Sequence, residues 1–242
     1  MFNHYRTLGL VLKKEERGEA DQLFTIYTKD FGKLEILGRA IRKITSKLRA
    51  STDIFYLSEI EFIQGKAYKT LTDAILIDKF GILRKSLRRF KIAQSIAEIL
   101  NNLIKGQEKD EEIWQLLMEA FNKLNARYKE KDTVYKVYYY FFWNFLFLLG
   151  YRPEIYNCVS CQKRLVPEKL YFTSEEGGVV CYKCSKGIKT KKEISPEVIK
   201  ILRIILKKDW MLLEKIKIEQ KFQKILNIIS KDYLSFVLSE NK

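Results

Sequence analysis

All four cysteines of this chain lie within 27 residues, Cys158 and Cys161 in CVSC and Cys181 and Cys184 in CYKC, with 19 residues between the pairs. A C-x-x-C bends the backbone tightly enough to put two thiolates on one face, and a second such turn completes a tetrahedron around Zn²⁺. Any fold of this sequence therefore has to bring residue 181 back to residue 158. The intervening residues are suited to that. Leu170 to Thr173 and Val179 to Cys181 read as short strands about Glu176-Gly177-Gly178, and such a hairpin returns the second pair to the first. Four protein ligands leave no position for water or substrate, so the spacing predicts one structural zinc ion. Lys163, Arg164, Lys183 and Lys186 flank the pairs and would offset the formal charge of about −2 that four thiolates leave on a dication.

Disulfides and redox chemistry are the rival uses of these cysteines. Disulfides belong to secreted chains, and Met1 to Arg6 lead into no apolar stretch ending in small residues, so a cytoplasmic protein without a signal peptide is expected. With 242 residues the chain can bury a sizeable core without covalent staples. A single redox-active C-x-x-C would leave the second pair, at metal-binding spacing, unexplained.

Charge is the next constraint. Lys plus Arg number 45 against 30 Asp plus Glu, a net +15, and the excess is clustered. Between positions 31 and 52, Lys33, Arg39, Arg42, Lys43, Lys47 and Arg49 face only Glu35. Residues 79–97 include Arg84, Lys85, Arg88, Arg89 and Lys91 and contain no acid, and a third cluster covers 183–192. Clusters of this kind attract polyanions, either nucleic acid or an acidic protein tail, although a charge run is often only a solvated face.

The first 78 residues carry strand patterns. Leu8, Leu10 and Leu12 alternate with Thr7, Gly9 and Val11; Leu23 to Thr28 follows Gly18; Asp30-Phe31-Gly32 turns into Lys33 to Leu37. Asp53 to Ile63 reads as a fourth strand, which Gln64-Gly65-Lys66 turns into a fifth, Ala67 to Ile77. Five short strands with a basic connection between the third and fourth predict a small closed sheet. The OB-fold is the simplest such barrel, and SH3-like barrels share the strand count.

From Phe80 the period becomes helical, with Leu83, Leu87, Phe90 and Ala93 to Ala97, then Ile113 to Leu124, then Val134 to Leu149. The last of these is interrupted by Lys136 and Asn144, which leaves too short an apolar run for a bilayer and predicts a buried bundle helix. Gly150 and Pro153 end it, and the basic residues Lys189 to Lys192 read as a linker. Ser195-Pro196-Glu197 is a helix start, with two or three helices following to about Leu238. The expected architecture is α+β: a five-stranded OB-fold barrel over residues 1–78, then an α-helical domain over 79–242 with the four-cysteine zinc finger, 151–192, embedded between helices.

Dedicated catalytic motifs are missing. There is no G-x-x-x-x-G-K-[ST] and no G-x-G-x-x-G. The single histidine, His4, removes H-E-x-x-H chemistry and most triads. A carboxylate-based, metal-dependent nucleic-acid-modifying enzyme is left as one alternative, and a zinc-containing scaffold that binds only proteins as another.

Taken together these residues resemble the bacterial DNA repair protein RecO family of recombination mediators. The likeness runs over nearly the whole chain. It rests on Gly18-Glu19-Ala20-Asp21, Thr28 to Lys33, the basic segment Gly38 to Ser51, and Gly150-Tyr151-Arg152-Pro153 leading into the cysteine pairs. Gln162 departs from the pattern, standing where relatives often carry glycine after the second cysteine. The resemblance implies a non-enzymatic, nucleoid-associated protein. Such a protein binds single- and double-stranded DNA, anneals complementary strands, binds the acidic C-terminal tail of single-stranded DNA-binding protein and, with RecR, helps load RecA. An OB groove with Arg39, Arg42, Lys43, Lys47 and Arg49 beside it would hold phosphates without reading bases. Arg84, Lys85, Arg88 and Arg89 would extend that surface, or receive an acidic peptide. Phe24, Tyr27, Phe31, Phe55, Tyr56 and Tyr68 are the aromatic candidates for base stacking.

Overall fold

The strand-forming runs in the first third of the chain close a sheet on itself. In the computed structural model, which describes residues 3–65, 68–128 and 133–240, five strands form a barrel in the order β1-β2-β3-β5-β4. They are β1 (His4–Arg17), β2 (Asp21–Thr28), β3 (Gly32–Gly38), β4 (Leu57–Gln64) and β5 (Lys69–Asp78). Strand β1 pairs with both β2 and β4, and β3 meets β5 in parallel through Ile36 and Leu37. This closure is the OB type. Inward side chains, among them Val11, Phe24, Ile26, Leu34, Ile36, Ile60 and Phe62, fill the interior.

The β2–β3 turn shows how tightly the register is set. The Thr28 hydroxyl donates to the Gly32 carbonyl at 2.9 Å and accepts from the Phe31 amide at 3.1 Å. Gly32 has φ +62°, and a Cβ there would stand 2.2 Å from the Glu108 carbonyl oxygen. Only glycine satisfies both conditions.

The fourth strand departs from the sequence expectation, since it begins at Leu57 rather than Asp53. Residues 53–56 turn instead, with the Tyr56 amide on the Asp53 carbonyl, and Phe55 takes a left-handed φ of 61°. That conformation directs Phe55 into a second core, where its ring lies 5.0 Å from Phe90 and 5.5 Å from Phe121. The apolar character of the run is real, but it serves two cores. Of the turn expected at Gln64-Gly65-Lys66, Lys66 lies outside the described residues, as does Ala67 of the fifth run.

Helices α1 (Gly81–Arg84), α2 (Leu87–Leu103) and α3 (Glu111–Asn125) complete this unit. Asp110 caps α3 by accepting from the Ile113 amide at 2.9 Å, and Ile113, Leu116, Leu117, Ala120, Phe121 and Leu124 are buried at helical spacing. Leu87 is the exception among the expected apolar positions, at 71% exposure. The period changes near residue 80, whereas packing divides the chain into units 1–129 and 130–242.

The second unit is built on α4 (Thr133–Leu148), which is buried around most of its circumference. Lys136 and Asn144 are the residues that tie it down. Lys136 Nζ donates to the carbonyls of Glu214 and Ile216 at 2.9 and 2.6 Å, and Asn144 Nδ2 donates to those of Tyr140 and Ile205 at 2.8 and 2.9 Å. Among the described residues no helix is long and apolar enough to cross a membrane.

After α4 come β6 (Leu170–Thr173), β7 (Gly178–Cys181), α5 (Tyr182–Ser185) and β8 (Lys192–Ile194). Helices α6 (Pro196–Leu206), α7 (Trp210–Lys215) and α8 (Gln220–Glu240) follow. Ser195 caps α6 by accepting from the Val198 amide, with Pro196 at the first helical position. The expected linker 189–192 instead ends by entering β8, which pairs with β6 to make a three-stranded sheet. Its lysines hide the strand because only three residues pair, and of those only Ile194 is buried.

Candidate metal centre and nucleic-acid interface

The hairpin β6–β7 brings the two cysteine pairs together. Residues 154–159 run beside β7: the Glu154 amide bonds the Gly177 carbonyl, Val179 bonds Glu154, and Val159 bonds Val179, at 2.9–3.0 Å. Gly178 permits this approach, since a Cβ there would lie 2.4 Å from the Glu154 oxygen. Cys181 ends β7 and Cys184 lies in α5, so the second turn is a strand-to-helix corner. The four sulfurs all lie within 4.8 Å of one another. Zinc–sulfur bonds of about 2.3 Å put tetrahedral sulfurs about 3.8 Å apart, so the set fits a tetrahedral thiophilic ion.

Cys158 is fully buried. Burial opposes its ionisation, but backbone donors from Cys161, Cys181 and Ser160 outweigh that and bring the thiol down to about 6. Hydrogen bonds with Cys181 and Cys161 push Cys184 up to about 12. One sulfur is thus ready to be a thiolate while Cys184 resists adding more negative charge, a conflict that a bound dication removes. Gln162, the departure noted in the sequence, takes φ 59° in the knuckle, the conformation that glycine adopts most readily. Its side chain donates to the Val159 carbonyl at 2.9 Å, anchoring the turn it strains. Lys163, Arg164, Lys183 and Lys186 are all exposed around the pairs.

On the barrel unit, the β3–β4 connection carries the first basic cluster. Ile41 is buried in the barrel core and Leu48 packs against it, so both ends of the segment are pinned. Further ties run from the Arg42 amide to the Ala20 carbonyl at 3.0 Å and from the Ala40 amide to Asp21 Oδ1 at 2.7 Å. Around these anchors Arg39, Arg42, Lys43, Lys47 and Arg49 are exposed. An open groove of about 520 Å³ lies beside them, with Lys14, Gln22, Arg42, Arg49 and Tyr56 in its walls.

Asp53 organises one side of this groove. It accepts from Lys14, from the Ile54 amide at 2.8 Å and from Arg84 Nη2 at 2.5 Å. The Arg84 guanidinium also donates to the Ile54 carbonyl and lies 4.7 Å from the Tyr56 ring centroid. Burial opposes the Asp53 carboxylate, but Lys14, the Ile54 amide and Arg84 outweigh it and hold the group below the usual carboxylate range. A depressed folded value adds stability that is present above the unfolded value and lost as pH falls through the folded one. Asp53→Asn should therefore cost about 1 kcal/mol near neutral pH, and the cost should shrink in acid as pH falls below the usual carboxylate range. Urea unfolding of both proteins at neutral and acid pH checks this.

The second basic cluster divides by role. Arg89 Nη1 donates to the Leu124 and Ala126 carbonyls at the end of α3, and its guanidinium faces the Tyr128 ring at 5.7 Å. Arg84 is committed to Asp53 and Ile54. Lys85 and Arg88 are exposed. These commitments are invisible in a sequence, where Arg84 and Arg89 look like any other members of a charge run. Among the aromatic candidates, Phe24, Tyr27 and Phe55 are fully buried, and Phe31 packs on Tyr5 and Phe62. Tyr68 is 41% exposed, and Tyr56 is half-buried in the groove wall with the Arg84 guanidinium over its ring.

The first unit is thus an OB-type barrel with a helical extension, and the second a helical unit that carries a four-cysteine centre. The chain belongs to the recombination protein O family: residues 1–80 match the model described as Recombination protein O N terminal, and residues 84–242 that described as Recombination protein O C terminal. Similar proteins include the DNA repair protein RecO of Dehalococcoides mccartyi, 29% identical over 237 residues that cover 98% of this chain and 91% of the relative. The protein of that name from Thermoanaerobacter is 28% identical over 234 residues, covering 95% and 92%, and that from Caldicellulosiruptor saccharolyticus 27% over 233 residues, covering 96% and 93%.

Proposed function

We propose that this protein is a recombination mediator in DNA repair. It binds single- and double-stranded DNA, anneals complementary strands and, with RecR, assists RecA onto DNA coated by single-stranded DNA-binding protein. The observation that carries this reading is the pinned, exposed cationic segment Arg39 to Arg49 beside an open polar groove on an OB barrel. Phosphate contacts of this kind bind any sequence. Two strands held on such a surface repel each other less, so pairing needs no nucleotide hydrolysis. Lys47 and Arg49 continue the track, Lys85 and Arg88 supply a further patch, and Arg84 and Arg89 contribute by holding Tyr56 and the α3 terminus in place.

Zinc is the ion we assign to Cys158, Cys161, Cys181 and Cys184, because four thiols within 4.8 Å of one another suit it. When bound, it cross-links the two turns and leaves no open coordination position. For the acidic tail of single-stranded DNA-binding protein, the second unit offers a cleft of about 550 Å³. Phe172, Phe236, Lys189, Lys191 and Lys192 line it beside Glu175 and Asp232, the latter paired with Lys192 at 3.6 Å, and the excess of cations next to apolar rings suits a peptide both apolar and acidic.

A strand-annealing assay tests the proposal, using purified protein, no nucleotide, and complementary oligonucleotides coated with single-stranded DNA-binding protein. Duplex should form faster with the protein than without it, and more slowly as salt is raised. Equal rates with and without the protein would reject the function.

A further inference from the structure

The most exposed large apolar side chain among the described residues is Ile44, at 93%. It sits at the crest of a turn in the cationic segment, where the Lys43 amide bonds the Ala40 carbonyl at 3.1 Å and the Ser46 amide bonds the Lys43 carbonyl at 3.0 Å. Arg42 and Lys43 precede it, Lys47 and Arg49 follow, and the buried Ile41 and half-buried Leu48 fix the two ends of the projection. Isolated exposed apolar residues are ordinary on protein surfaces. This one differs in its position, because the charges that would bind phosphates surround it and the turn presents it outward.

We propose that Ile44 is a wedge that enters between base pairs of duplex DNA held by the surrounding cations. The inference rests on the DNA-binding reading above and adds a positioning residue to it. Two chemical arguments favour duplex over single strand as the target. Platforms for unpaired bases are aromatic, because a planar ring matches the face of a base, whereas isoleucine offers no flat surface. Aliphatic side chains flanked by Arg and Lys are the kind that insert at a base step, partly unstacking it and kinking the duplex. Insertion would bury the side chain that is now in water, and this gain offsets part of the unstacking cost. A base step opened in this way gives an annealing protein a point at which a mispaired duplex can be reopened.

The test compares wild type with Ile44→Ala and Ile44→Ser on one duplex carrying 2-aminopurine at its centre and on the matching single strand. Ile44 makes no core contact to lose, so both variants should fold; circular dichroism establishes this. Wild type should raise the 2-aminopurine fluorescence of the duplex. Both variants should lose that rise and bind the duplex roughly fivefold more weakly, with single-strand affinity and the salt slope unchanged. Variants that keep the fluorescence rise and duplex affinity would overturn the wedge while leaving the cationic reading intact. Equal losses on single strand and duplex would also overturn it, in favour of a contact with unpaired bases. Failure of the wild type to bind any DNA would overturn both readings.

Discussion

Replacing Cys181 with serine should remove the bound metal and unfold the segment from about Tyr151 to Lys192. A serine hydroxyl does not ionise near neutral pH, so the tetrahedron loses one of its four anionic ligands. The effect should be large, since structural zinc sites contribute about 10–16 kcal/mol of apparent binding free energy in small peptides, all of it linked to folding. Much of what fixes this segment depends on the turns the sulfurs close. The three strands of its sheet have only four, four and three residues, and α5 is a single turn. The barrel belongs to a separate compact unit and should keep its structure. Metal analysis with limited proteolysis decides the matter. Wild type should carry about one zinc ion per chain and resist cleavage in this segment, while the variant should be metal-free and cut there. A wild-type protein that is metal-free yet equally resistant would remove the metal from the account.

Replacing Arg39, Arg42 and Lys43 together by glutamate should weaken binding to all DNA sequences alike and slow annealing. These side chains are exposed on a segment whose anchors, Ile41, Leu48 and Thr52, are left untouched. Among the described residues the ion pair lost, Arg42 with Glu16 at 3.3 Å, has a carboxylate partner 69% exposed and adds little to stability. Metal content, helicity and resistance to urea should stay close to wild type. Any fall in DNA affinity then reports the interaction rather than the fold.

Much of the barrel was legible because β3 and β4 bury alternate residues, so the alternation in Leu34, Ile36 and Gly38 or in Ile60 and Phe62 survives in the sequence, whereas β2 is buried continuously from Leu23 to Thr28 and reads by its β-branched and aromatic residues. Phe55 was not legible, since a left-handed residue that serves a second core looks like one more alternating position. The cysteine centre could be read because metal geometry imposes a spacing on the chain. Strand β8 left no such mark, being three residues long with two charged members. Charge clusters located the exposed segment Arg39 to Arg49 but could not separate it from Arg84 and Arg89, whose partners lie 30 to 37 residues away. Lys136 and Asn144, which read as interruptions of an apolar helix, are its hydrogen bonds to α6 and α7. Such pairings are decided by tertiary structure and leave no local trace.

The salt dependence of DNA binding decides whether the segment Arg39 to Arg49 holds the nucleic acid, measured by titrating a fluorescent single-stranded oligonucleotide at several salt concentrations with wild type and with the Arg39, Arg42 and Lys43 triple variant. If the five cations from Arg39 to Arg49 each meet a phosphate, the wild-type slope of log affinity against log salt should be near −3.5, from about −0.7 per contact, and losing three contacts should flatten it by about two. A triple variant with wild-type affinity and wild-type slope would show that DNA does not bind this segment.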